Sequence, residues 1–199
     1  MIVVDIESSS LSPTEGSILS IGSVDFIKPS NQFYIECKAW EGAELDPESL
    51  EVTGFTFDTA RDSGKKTETE AIIDFLSWVN KINERTLAGH NPHFDIAYLI
   101  AACDRANIVY NLGHRYVDMH SEAYTRFLKS NMPPPTEFNR SALKSDKIFE
   151  YVGLYSEPKP HNAMIGAKME AEAFSRLIYG KNLLEEFKQF AVPQYLVRA

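Results

Sequence analysis

The chain opens on Ile2-Val3-Val4-Asp5-Ile6-Glu7, an apolar run rich in β-branched residues that predicts a buried strand. After the turn-forming stretch Ser8 to Gly16, apolar residues return near Ile18 to Phe26 and again near Phe33 to Lys38. Asp25, Lys28, Pro29 and Asn31 supply the turn between these last two runs, so the pattern predicts an antiparallel meander of three consecutive strands. Pro47 to Val52, closed by Gly54, predicts a short helix, and Ile72, Ile73, Phe75, Leu76 and Val79 form a stripe at helical spacing within Thr67 to Ile82. A short strand is expected at Thr86 to Ala88 and another at Tyr116 to Asp118. Asn91 reads as a helix N-cap with Pro92 in the first helical position, and that helix runs to about Ala106. Further helices are expected at 119–130, 141–152 and 162–179, with a terminal one over Leu183 to Phe190. Strands first, then helices alternating with strands, predict an α/β sandwich around a mixed central sheet.

On a strand, residues i and i+2 face the same side, so Asp5 and Glu7 project together. Two neighbouring carboxylates repel and resist desolvation unless a cation lies between them. By itself such a pair is commonplace, since solvated strand ends carry it too.

Composition narrows the class. A chain of 199 residues, 44% hydrophobic, suits one domain with one sizeable core, so residues 1–199 are read as a single domain. No apolar run approaches the roughly 20 residues of a membrane span. With a strand starting at Ile2 and only Cys37 and Cys103 present, the expectation is a soluble cytoplasmic protein without leader peptide, disulfide framework or zinc quartet. A net charge of −8 argues against sequence-indifferent nucleic-acid binding through many phosphate contacts. It leaves room for an enzyme that grips a few nucleotides through metal ions. Residues 105–148 are locally basic, with seven Lys and Arg against four Asp and Glu, which suits either phosphate guidance or ordinary charged helix faces.

Two further stretches add to the first. Gly89-His90-Asn91-Pro92-His93-Phe94-Asp95 leads from a strand into a helix, and His161-Asn162-Ala163-Met164-Ile165-Gly166-Ala167 opens another helix. In this order and spacing the three segments resemble the motifs of the DEDDh 3′→5′ exonuclease superfamily, of the ribonuclease T and polymerase III proofreading type. Asp5 and Glu7 match its Asp-x-Glu; Asn91, Phe94 and Asp95 match the end of its second motif; His161, Ala163 and Ala167 match its His-x-Ala-x-x-Asp-Ala. Where that third motif carries a metal-binding Asp, this chain has Gly166. The resemblance covers about residues 1–180, leaving 181–199 as a C-terminal helix and tail.

The resemblance implies a ribonuclease H-like fold and a nuclease that hydrolyses phosphodiester bonds at the 3′ end of single-stranded RNA or DNA. It also implies two Mg²⁺ or Mn²⁺ ions, since two divalent ions about 3.5–4 Å apart activate water, neutralise phosphoryl charge and assist the departing oxygen. Asp5, Glu7 and Asp95 suit that hard-oxygen ligand set. A histidine is poised to take a proton near neutral pH, and the family's general-base role is carried to His161. Ser8-Ser9-Ser10-Leu11 stands where the family reads Thr-Thr-Gly-Leu, which assigns Ser8 and Leu11, with Asn91, to substrate contact. Members are often homodimers; no segment here identifies an interface.

Each residue also has a plainer reading: Asp95 as a first-turn acid favoured by the helix dipole, His161 as a helix-entry residue, His90 and His93 as structural. Gly166 keeps a second function open, a degenerate member that binds nucleic acid or protein without cutting. Glu170, one turn beyond Gly166, is on the same helical face and reads either as reaching back to replace the missing carboxylate or as a solvated helix acid like Glu172.

Overall fold

The computed structural model describes residues 1–197. In chain order its elements are β1 (Ile2–Ser8), β2 (Ile18–Asp25), β3 (Gln32–Lys38), α1 (Pro47–Thr53), α2 (Phe57–Ala60), β4 (Lys66–Thr67), α3 (Glu68–Val79) and β5 (Leu87–Gly89). There follow α4 (His93–Arg105), β6 (Tyr116–Asp118), α5 (Met119–Lys129), β7 (Thr136–Glu137), β8 (Arg140–Ser141), α6 (Ser145–Tyr151), α7 (Ala163–Tyr179) and α8 (Gln194–Val197).

Six strands form one mixed sheet in the order β4-β3-β2-β1-β5-β6. The antiparallel meander β1-β2-β3 is present, while β5 pairs parallel with β1, and β6 parallel with β5. Strand β1 is central, which explains why its whole apolar run is buried. Its side chains alternate between two cores. Ile2, Val4 and Ile6 pack with Phe75 of α3 and Leu99 of α4, whereas Val3 packs with α5, α6 and α7. Asp5 and Glu7 share the parity of Val3 and therefore face α7.

Helix α7 reaches this face through a close approach. A Cβ on Gly22 of β2 would lie 2.0 Å from the Ala163 carbonyl oxygen, so only glycine lets the start of α7 rest on the sheet. Since Gly22 pairs with Asp5 in the β1–β2 register, the same contact sets the first turns of α7 over Asp5. Asn162 caps α7 as its side chain accepts from the Met164 and Ile165 N–H groups.

Four expectations are corrected. The predicted N-cap of α4, Asn91, instead adopts φ 60, and Pro92 occupies the cap position without a side-chain bond. The Asn91 N–H is held by Asp118 Oδ1 at 3.1 Å, which ties the turn to β6. The helix predicted at 141–152 begins only at Ser145, because residues 136–141 form the hairpin β7–β8. Leu183 to Phe190 holds a single 3-10 turn over Glu185–Phe187, since the Leu183 and Leu184 N–H groups bond to Glu172 Oε2. Glu172 itself is fully buried and paired with Arg176 at 2.8 Å, not solvated. Among the described residues no helix is long and apolar enough to cross a membrane.

Candidate active site

Carboxylates from four places meet where β1 and β5 end. Asp5 and Glu7 come from β1, Asp95 from the first turn of α4, Glu170 from the second turn of α7, and Glu157 from the loop ahead of α7. Glu7, Asp95 and Glu170 are buried and Asp5 is half-buried. Burial pushes the Asp5 and Glu170 carboxyls well above the usual range, and the neighbouring acids reinforce it: Glu7 and Glu170 beside Asp5, Asp95 beside Glu170. Glu7 is pushed up to about 8 by burial and then by Glu157 and Asp95. Asp95 also rises to about 8 through burial, against the opposing pull of backbone N–H groups, its own and that of Ile6. Glu157 rises for the same first reason, burial.

So many buried acids in one place are costly to ionise unless a cation joins them. Two of their oxygens, Glu157 Oε1 and Glu170 Oε2, are buried without a hydrogen-bond partner. An all-oxygen donor set with unmatched negative valence fits Mg²⁺ or Mn²⁺. Ligand atoms of Glu7, Glu157 and His161 lie within 4.8 Å of one another.

His161 sits at the rim. Its side chain is 34% exposed, with Nδ1 3.8 Å from Glu157 Oε2, and its backbone N–H donates to the Val52 carbonyl at 2.9 Å. Glu170 is brought into the cluster, but not over Gly166: its Oε1 accepts from the His90 N–H at 3.1 Å, and its Oε2 lies against Gly89. Beside the carboxylates a cavity of about 280 Å³ is lined by Glu7, Ser8, Leu11, Val52 and Phe94. Leu11 is 80% exposed at its edge, while the Ser8 hydroxyl is buried and donates to the Ser10 carbonyl. Asn91 lies exposed at the α4 entry. His90 is structural, its ring nitrogen bonded to the Leu143 carbonyl at 3.1 Å.

Part of the basic segment is engaged elsewhere. Arg105 is locked onto Glu68, Arg126 onto the Leu196 carbonyl, and Lys147 pairs with Glu150. Glu157 is the site residue that sequence reasoning missed. Its only signal was its place four residues before His161, in a loop where spacing carries no direction.

No family model matches the chain. Ribonuclease T of Yersinia enterocolitica is 25% identical over 190 residues, covering 89% of this chain and 83% of that protein. Against other ribonuclease T sequences the match spans only 62% of their length. The chain is similar to proteins of the DEDDh exonuclease superfamily. The nuclease domain of 3′hExo, a DEDDh member bound to rAMP, superposes with a TM-score of 0.69 at 14% identity, covering 97% of this chain and 95% of that one. Escherichia coli exonuclease I in complex with a dA16 oligonucleotide gives 0.70 at 15% identity, over 89% of this chain and 40% of that one. At such identities these superpositions establish the common fold.

Proposed function

We propose that the protein is a divalent-metal-dependent 3′→5′ exonuclease that releases nucleotides from the 3′ end of a single-stranded nucleic acid. The observation that carries this reading is the meeting of Asp5, Glu7, Asp95, Glu170 and Glu157 around buried, unpartnered oxygens, with His161 at the rim. Asp5, Glu7 and Asp95 would hold the ions, and Glu170 would add a carboxylate beside Asp95. Bound there, Mg²⁺ or Mn²⁺ would neutralise phosphoryl charge and lower the barrier to attack by water.

The protein's own groups do the rest. His161 accepts the proton of the attacking water; with Nδ1 turned toward Glu157, Nε2 is the nitrogen left for that task. The cavity beside Glu7 receives the terminal nucleotide, with Leu11 and Phe94 offering apolar surface to its base and Ser8 and Asn91 at the margins. A strand labelled at its 5′ end tests the proposal: it should shorten stepwise from the 3′ end in Mg²⁺ or Mn²⁺. A strand that is bound but never shortened would favour the degenerate binding module that Gly166 keeps in view.

A further inference from the structure

We propose that Glu157 supplies the carboxylate that position 166 lacks, so that the loop ahead of α7 delivers the fourth acidic ligand in place of the helix. This inference rests on the metal-dependent reading of the site. It differs from that reading in naming which residue completes the ligand set.

The geometry at Gly166 is the starting point. Of the heavy atoms around a Cβ built there, the nearest are Asp5 Oδ2 at 2.2 Å, Asp5 Cγ at 2.8 Å and Glu157 Oε1 at 3.4 Å. An aspartate's own oxygens lie two bonds beyond its Cβ. Glu157 Oε1 therefore stands close to the region where the oxygen of an aspartate at 166 would be. It arrives from a different segment of chain.

The oxygen is also unused. The Glu157 side chain is only 10% exposed, and its Oε1 is buried without a hydrogen-bond partner. A carboxylate oxygen in that condition costs free energy unless something absent from the protein's own atoms bonds to it. The Glu7 carboxylate stands beside that of Glu157, with a ligand oxygen of each within 4.8 Å of the other.

The loop holds Glu157 in place from both sides. Its own N–H donates to Asp146 Oδ1 at 3.0 Å, tying it to the first turn of α6. Three residues on, Pro160 packs against Gly54, where any Cβ would come within 2.6 Å of the proline ring, and His161 is fixed to the Val52 carbonyl. Glu170, the helical candidate for the same duty, has one oxygen committed to the His90 N–H and lies toward Gly89. Of the two glutamates, Glu157 is the one among the three atoms nearest a Cβ at position 166.

A lesser role for Glu157 would be to orient His161 alone. Metal binding without nucleic acid separates the two. The measurement is a calorimetric titration of the full chain with Mn²⁺, for wild type, Asp5→Asn, Glu157→Gln, Glu157→Ala, His161→Asn and the surface control Glu150→Gln. Expected is loss of binding in Asp5→Asn, a fall of roughly tenfold or more in both Glu157 variants, and affinities within about twofold of wild type for the last two. Metal-free melting temperatures at or above wild type show that the Glu157 variants fold. If Asp5→Asn loses Mn²⁺ while both Glu157 variants bind as wild type does, this inference is overturned and the exonuclease reading stands. If Asp5→Asn also binds normally, both fall.

Discussion

The Asp5 carboxylate occupies the space that a side chain on Gly166 would need: a Cβ there would lie 2.2 Å from Asp5 Oδ2. Glycine inside a helix costs about 1 kcal/mol relative to alanine, and here the close approach supplies the reason for it. The glycine at position 166 and the position of Asp5 are thus one structural fact. Helix α7 lies near enough to β1 for the strand carboxylate to rest against it at Gly166.

Gly166→Ala follows from this contact. The gain in helix propensity, about 1 kcal/mol, is expected to be cancelled as Asp5 is forced to rotate. Thermal melts with and without Mn²⁺ should show no stabilisation of the metal-free protein and a smaller Mn²⁺-induced rise. A variant that melts higher and keeps the full rise would show that Asp5 moves freely.

The raised carboxyls fix the sign of a pH dependence. Unfolded, Asp and Glu titrate near 3.9 and 4.3; folded and without metal, Asp95 and Glu7 hold their protons up to about 8. Between these values the folded state binds more protons than the unfolded one, so stability is full below the unfolded values and is lost as pH rises toward 8. Denaturant melts in chelator should therefore weaken from pH 5 to pH 8. Asp5→Asn should raise metal-free stability and flatten the slope, because it removes a charge that the others repel. A metal-free protein that gains stability across that range would contradict the description of the cluster.

His161→Asn should lower turnover by roughly 10²–10⁴-fold, the usual worth of a general base. Mn²⁺ affinity and strand affinity should stay near wild type, since the residue is read as moving a proton and not as holding either ligand. Single-turnover rates beside binding isotherms make the separation. Equal losses in rate and Mn²⁺ affinity would recast His161 as a ligand.

Arg176 and Glu172 form a fully buried pair, with Arg176 also donating to the carbonyls of Val152, Phe187 and Phe190. Breaking such a pair from one side costs about 3–5 kcal/mol. Glu172→Gln should accordingly lower the urea midpoint strongly while leaving the Mn²⁺ affinity of the folded protein unchanged. A neutral effect on stability would mean that the pair is not formed.

Legibility in the sequence followed periodicity. Asp5 and Glu7 could be assigned to one face because a strand has a fixed period of two, and Asp95 because it falls in the first turn of a helix. The meander was readable from its apolar runs and the turn residues between them. Glu157 was not, because a loop has no period to give its side chain a direction. Glu172 misled because α7 is buried on nearly every side, so a polar letter did not mark a solvent face; the Arg176 four residues on was the available clue. The β7–β8 hairpin was hidden by its turn, where Phe138 and Asn139 take φ 48 and φ 60. Asparagine advertises that conformation and phenylalanine does not.

The central claim is that this carboxylate cluster cleaves phosphodiester bonds from a 3′ end, and one time course addresses it. A 5′-labelled single strand is incubated with wild type and with Asp5→Asn, in Mg²⁺, Mn²⁺ or chelator. The account predicts a ladder of products shortening from the 3′ end and released mononucleotides with wild type and metal, and an intact strand in chelator or with Asp5→Asn. A strand left whole by wild type in both metals, or shortened equally by Asp5→Asn, would contradict it.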